Sequence, residues 1–351
     1  LKCDAKVIGF FEICNIFAEK MKEMDKILGM GNALVDVLAT LKDDSLLAEM
    51  DLPRGSMQLI DEAKLQCINS KFSEMKTHVA TGGSAGNTIL ALACLGAPTG
   101  FIGKIGDDSF GTFFKNNLKA NGIDDKLQPS PLPTGVASTF ISPDGERTFG
   151  TFLGAAATLK SEDITPSMFE GYSYLYIEGY LVQDHEMILH AIQMAKEAGL
   201  HVCLDLASYN IVEADKDFFN LLINKYVDIV FANEEEAKAF TGTSPEEAVD
   251  IIGSHCSIAI VKVGSKGSLI RKGTETVTCG VQLVEHVTDT TGAGDYYAAG
   301  FLYGLTCGYS LDKCAQIGSL LSANVIQVVG TTLSKETWAD IKTKINEIIA
   351  K

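Results

Sequence analysis

From Met24 onward the chain alternates short β-rich runs with amphipathic stretches of helical length, and this alternation narrows its fold more than any other feature. Runs at 26–30, 99–104, 174–178, 202–206, 229–232 and 258–263 read as strands. The stretches 86–95, 110–120, 185–198 and 234–240 between them read as helices, most of them followed closely by a glycine that can end a helix. Strands separated by crossover helices lie parallel, so the sequence predicts an α/β, doubly wound, mostly parallel sheet flanked by helices. Two places break the alternation. Segments 33–41 and 55–60 read as further strands, and 135–142 with 146–152 reads as a hairpin turned at Pro143-Asp144-Gly145. Antiparallel strands inserted at two points can pair into a small β-sheet lid, with lid segments about 33–60 and 133–154. The alternative is an irregular edge of the main sheet.

Composition bounds the function. With 46% hydrophobic and 21% charged residues over 351 positions, the chain is of ordinary globular type. Forty-five acidic against 29 basic residues give a net charge of −16, which repels nucleic acid and anionic membranes. No apolar run reaches the ~18 residues of a membrane span. The nine cysteines form no CxxC pair, which suits a reducing, cytoplasmic setting, and the six histidines are scattered without metal-ligand spacing. There is no GxxxxGK[ST] phosphate loop. Gly29-Met30-Gly31 follows the first strand, but Leu34 stands where a dinucleotide fingerprint needs its third glycine, and Asp36 comes too early to be the ribose acid.

The strongest chemical signal is Asp289-Thr290-Thr291-Gly292-Ala293-Gly294-Asp295, which runs into an apolar helical stretch at 296–305. Its glycines permit close backbone approach to a ligand, and a helix opening there points N–H groups and its positive dipole end at an anion. Asp295, just inside that helix, sits where a base for a substrate hydroxyl belongs. Taken alone, the same residues are equally a glycine-rich turn with a helix-start charge. Thr81-Gly82-Gly83-Ser84-Ala85-Gly86-Asn87-Thr88 opens another helix, and Gly31-Asn32-Ala33-Leu34-Val35-Asp36 follows the first strand. Asn233-Glu234-Glu235-Glu236 and Lys262-Val263-Gly264-Ser265-Lys266-Gly267 each follow a later strand. Alone, Asp36 would be a solvated strand end, the three glutamates the acidic first turn of a helix, and Gly264 to Gly267 a hairpin turn.

In this order and spacing the motifs resemble the PfkB, or ribokinase-like, family of carbohydrate and nucleoside kinases, from about residue 24 to the C-terminal helix. Within it the pattern is most similar to the adenosine kinases. The resemblance implies a ribokinase-like fold and ATP-dependent phosphorylation of the primary 5′-hydroxyl of a nucleoside, adenosine to AMP, or in the alternative of a sugar such as ribose or fructose. It implies Asp295 as general base, Gly292, Ala293 and Gly294 as the anion hole, and Arg147 as a lid arginine reaching over the transferring phosphate. Asn32, Asp36, Gly82, Gly83 and Asn87 would hold the substrate. Asn233, Glu236, Lys262, Gly264, Gly267 and Asn324 would lie on the ATP side, with Glu236 placing Mg2+ through water. A monovalent cation such as K+ would sit near Asp289 and Thr291. The partner would be a small molecule, and the chain a monomer or homodimer. A catalytically silent nucleoside sensor is the competing class, and an intact Asp295 argues against it. Tyr296-Tyr297 replaces the family's usual Ala-Phe, and Gly179-Tyr180-Leu181 and Ser208-Tyr209-Asn210 differ from the phenylalanines that flank the purine in animal adenosine kinases. Glu178 and Asn210 add polar groups there, which leaves base preference open.

Residues 1–23 are broken by Glu12 and lack a signal-peptide cleavage pattern, so they read as an extension outside a kinase domain of 24–351. Deleting them is expected to leave folding and activity intact, checked by circular dichroism and turnover of the shortened chain; loss of either overturns the expectation.

Overall fold

The computed structural model describes residues 24–350, and the extension 1–23 lies outside the described residues. Its strands are β1 (Ile27–Met30), β2 (Leu34–Thr40), β3 (Met57–Leu59), β4 (Thr77–Gly82), β5 (Thr99–Gly106), β6 (Asp124–Ser130) and β7 (Gly135–Ile141), followed by β8 (Arg147–Phe152), β9 (Tyr174–Glu178), β10 (His201–Asp205), β11 (Ile229–Asn233), β12 (Ile258–Lys262), β13 (Ser268–Lys272) and β14 (Glu275–Cys279). A nine-stranded sheet has the order β14-β13-β12-β11-β10-β9-β1-β5-β6. Every pairing from β12 to β6 is parallel, and β13 and β14 close one edge antiparallel. The expected strands and helices fall within two residues of the observed ones, except the stretch at 296–305, whose helix starts three residues earlier.

The sequence of β1, Ile-Leu-Gly-Met, is buried throughout because helices cover both faces, which removes the polar alternation of a half-exposed strand. The pleat divides the side chains. Ile27, Phe101, Tyr176 and Phe231 enter one core cluster, while Leu28, Ile102, Leu175 and Val230 enter the other. Helix ends follow local chemistry. Asp108 accepts from the N–H of Gly111 (2.7 Å) to start Ser109–Ala120, and Asp184 accepts from Met187 (3.1 Å) to start His185–Glu197.

The remaining strands form a separate five-stranded sheet, β3-β8-β7-β2-β4, rather than an irregular edge of the large one. β7 and β8 are the expected hairpin, closed by Gly145 N–H to Ser142 O (2.9 Å) with Gly145 at φ +91°. Sequence reading did not include β4, which pairs antiparallel with β2. It also passed over β6, whose Asp-Asp-Lys-Leu-Gln-Pro-Ser sequence survives as a strand because it lies at a sheet edge, where polar residues and proline are tolerated. On β2, Val35 and Val37 pack into the core, so the pleat turns Asp36 to the opposite face.

Helices Ala293–Thr306 and Leu311–Val325 pack backbone to backbone. A Cβ on Gly300 would lie 2.6 Å from Ile317 O and 2.8 Å from the Cα of Gly318. Gly300→Ala is expected to destabilise the protein by about 1–3 kcal/mol, read as a lower urea midpoint at unchanged m-value. A midpoint at or above that of the parent would show that the helices separate freely.

Candidate active site

Two clefts open at the carboxyl ends of the parallel strands, where open α/β sheets bind ligands. The larger, of about 940 Å³, is lined by the glycine turn 290–295, by Asn233, Glu236 and Lys262, and by Gly264 and Gly267. The smaller, of about 470 Å³, is lined by Asn32, Leu34, Glu178, Ser208 and Asn210. Gly83, Ser84 and Tyr180 line both, so the clefts meet there.

Asp295 lies at that junction. Gly292, at φ +76°, caps the helix Ala293–Thr306 and turns the chain so that Asp295 falls in its first turn. This helix begins three residues earlier than its apolar stretch suggested. Ser84 Oγ donates to Asp295 Oδ1 (2.7 Å) and Asn87 Nδ2 to Oδ2 (2.9 Å). Thr331 Oγ1 donates to Asn87 Oδ1 (3.1 Å), which fixes the amide with its nitrogen toward the carboxylate. Burial raises Asp295 to about 6, against the lowering effect of these two hydrogen bonds. No protein acceptor takes the N–H of Gly292 or Gly294 among the described residues. The N–H of Ala293 instead donates to Thr290 O (3.2 Å) and closes the turn, a correction to the expected three-donor hole.

Asp36 faces the same junction. Gly82 backs it so closely that a Cβ there would stand 2.1 Å from Asp36 Oδ1. Burial, then the like charge of Asp295, raises Asp36 to about 7, while Arg147 pulls the other way. Arg147, on β8, reaches across to the glycine turn: Nη2 pairs with Asp289 Oδ2 (2.6 Å) and Nη1 donates to Thr291 Oγ1 (3.2 Å). Asp289 also accepts from the N–H groups of Thr291 (3.0 Å) and Gly330 (2.7 Å). The arginine and the two residues expected beside a monovalent cation thus form one ion-paired group.

On the far side of the turn, Lys262 Nζ pairs with Asp205 Oδ2 (3.1 Å), and a Cβ on Gly294 would lie 3.1 Å from that ammonium. Burial opposes the charge of Lys262, but Asp205 and Glu236 outweigh it and hold its pKa above the ordinary lysine value. Asn233 and Glu236 make a reciprocal helix cap, with Asn233 N–H to Glu236 Oε2 (2.8 Å), Nδ2 to Oε1 (2.7 Å) and Glu236 N–H to Asn233 Oδ1 (2.8 Å). Burial and Asp205 raise Glu236 to about 7.

Asn324 is not brought to the cleft. Its Nδ2 donates to Leu320 O (2.8 Å), and the helix presents Ser319, Ser322 and Ala323 to the cleft, with Ile326 just past its end. Position 324 falls off that face of the 3.6-residue repeat. Sequence reading assigned no role to Asp205, Ser84 or Thr331. Asp205 ends a strand whose parallel direction was already legible, which is the available signal; Thr331 had none.

A half-buried carboxylate at the start of a glycine-capped helix, open backbone donors beside it and a lysine behind form the site of a phosphotransferase acting on an alcohol group. The pfkB family carbohydrate kinase pattern matches residues 58–338, and the chain belongs to that family. An adenosine kinase from Sinorhizobium meliloti has a similar structure, with TM-score 0.82 and 34% identity, covering 92% of this chain and 99% of that one. The chain is 29% identical over 287 residues to a 5-dehydro-2-deoxygluconokinase of Geobacillus thermodenitrificans, covering 77% of this chain and 85% of the relative. It is 28% identical over 333 residues to adenosine kinase 2 of Arabidopsis thaliana, covering 87% and 95%. Among the described residues no helix is long and apolar enough to cross a membrane.

The raised acids set a pH dependence. Asp36 has a folded pKa of about 7 against an ordinary 3.8, so the folded chain takes up a proton as pH falls from about 7 to about 4. Its contribution to stability is full below that window and is lost as pH rises through it. Asp36→Asn is therefore expected to stabilise the fold at pH 8, on the order of 1–4 kcal/mol, and to leave stability unchanged at pH 4, measured by urea unfolding at both. Equal effects at the two pH values would refute the buried-acid account.

Proposed function

We propose that the protein transfers the γ-phosphoryl group of ATP to the primary 5′-hydroxyl of a nucleoside, with adenosine as acceptor and AMP and ADP as products. The observation that carries this reading is the position of Asp295, half-buried and hydrogen-bonded where the two clefts meet. The larger cleft takes ATP and the smaller takes the acceptor. Asp36, Asn32 and Asn87, with the Gly82-Gly83 backbone, hold ribose hydroxyls. Asp295, with its pKa of about 6, accepts the 5′-hydroxyl proton as that oxygen bonds to the γ-phosphorus and the bond to the β,γ-bridging oxygen breaks. The free N–H groups of Gly292 and Gly294 take charge on the phosphoryl oxygens, and Lys262, held by Asp205, faces the polyphosphate.

Arg147 helps from the small sheet, which acts as a lid over the acceptor within a catalytic unit of residues 24–351. Among the described residues no three His, Cys, Asp or Glu side chains converge to hold a bare ion. Mg2+ would accordingly ride on the triphosphate and water, with Glu236 as the nearby carboxylate that orients its water shell. K+ would take backbone carbonyls near Asp289 and Thr291, whose side-chain oxygens Arg147 holds.

A sugar acceptor is the second reading, favoured by the similarity to the 5-dehydro-2-deoxygluconokinase and by the polar Glu178 and Asn210 in the smaller cleft. A panel of nucleosides and sugars scored by ATP consumption decides between them, with adenosine expected to give the highest kcat/KM. Asp295→Asn is expected to keep ATP and acceptor affinity and to lose about 10²- to 10⁴-fold in turnover. Near-normal turnover in that variant would remove Asp295 from the reaction.

A further inference from the structure

The smaller cleft holds a buried acid, Glu178, that the transfer step itself does not use. It ends β9, and its side chain is ringed by donors. Oε1 accepts from the N–H (2.9 Å) and the Nδ2 (2.6 Å) of Asn32, and Oε2 accepts from the N–H of Ala85 (2.8 Å). The fold makes room for it: a Cβ on residue 31 would stand 2.4 Å from Glu178 Oε2, and that residue is glycine. The cation lining the same cleft, Lys160, is tied to Asp184 and not to Glu178. Glu178 therefore stays in place through hydrogen bonds alone, two of them to a single asparagine.

Burial raises Glu178 to about 7 against the lowering effect of its three N–H donors, and in its ionised form it only accepts, so the amide of Asn32 turns its Nδ2 toward it. That leaves Asn32 Oδ1 as the remaining polar atom of the amide, and no donor among the described residues reaches it. Asn32 lines the cleft. With its orientation locked, it offers an incoming molecule Oδ1 as an acceptor at a fixed place, beside the second Nδ2 hydrogen, and an acceptor there matches a hydroxyl hydrogen. Without Glu178 the amide is free to flip and present either end.

Resting on the kinase reading above, we propose that Glu178 is a positioning residue for the phosphoryl acceptor: it locks the Asn32 amide so that Oδ1 receives a hydrogen bond from a ring hydroxyl of the ribosyl group. Glu178→Gln weakens the lock, because the new amide keeps one acceptor where the carboxylate has two and sets a donor against Asn32 or Ala85. The test uses the full-length chain with ATP and three acceptors, adenosine, 2′-deoxyadenosine and 3′-deoxyadenosine, or ribose and its deoxy analogues where the panel returns a sugar.

In the parent protein, removing the recognised hydroxyl is expected to lower kcat/KM ~10-fold or more. In Glu178→Gln the KM for the intact acceptor is expected to rise about 10- to 100-fold, with the KM for ATP within about twofold, and the penalty for the missing hydroxyl is expected to shrink to about threefold or less. Asn32→Ala should show the same pattern, and the double variant should be no worse than either single one, because both remove one interaction. An unchanged acceptor KM in Glu178→Gln, a full deoxy penalty in it, or additive losses in the double variant overturn the proposal. If Glu178→Gln does not fold, a full deoxy penalty in Asn32→Ala overturns it equally. No transfer from ATP to any acceptor in the parent protein overturns the kinase reading itself, and is distinct from every outcome above.

Discussion

The structure is governed by the need to keep several carboxylates out of water around one crevice. Asp36, Asp205, Glu236, Asp289 and Asp295 are buried or lie at that junction, and the cations that reach them are Lys262 and Arg147. Buried like charges repel strongly in a weakly polarisable interior, so each acid needs its own means of accommodation. Asp205 and Asp289 have a cation, Glu236 is held in a helix cap, and Asp295 has a hydroxyl and an amide. Asp36, Asp295 and Glu236 all keep raised proton affinities, with burial the first cause in each. The tight glycines, the reciprocal cap and the chain from Thr331 through Asn87 to Asp295 all serve this arrangement.

Two layers of sheet divide the labour. The large parallel sheet supplies strand ends and helix starts in fixed register, which positions Asp295, Glu178, Asp205 and Lys262 on rigid elements. The small sheet contributes Asp36 and Arg147 from strands whose inner faces pack on the core while these side chains look toward the junction. Acids from one layer therefore meet a guanidinium from the other.

Much of this was legible in the residues, because the informative signals are local. The glycine turn at 292–294 demands a special backbone and announces its helix within a few positions, and Asp36 and Asn87 lie in equally short motifs. The parallel core was readable from alternation alone. The rest depends on packing. Thr331 reaches Asn87 across 244 positions of sequence, which no local pattern encodes. Asn324 was chosen by resemblance, but helix phase turns it back onto Leu320. β6 lacks strong strand composition and exists because a neighbour offers an unpaired edge, and β4, though it carries Thr77, Val79 and Thr81, is placed by its pairing with β2.

Arg147 and Phe149 stand two residues apart on β8, on the same side of the pleat. One reaches Asp289 and the other lines the larger cleft. Because they share a strand, no rigid displacement of the hairpin can withdraw one without the other. The charge balance of the glycine turn and one wall of the cleft that the turn lines are therefore carried on a single strand.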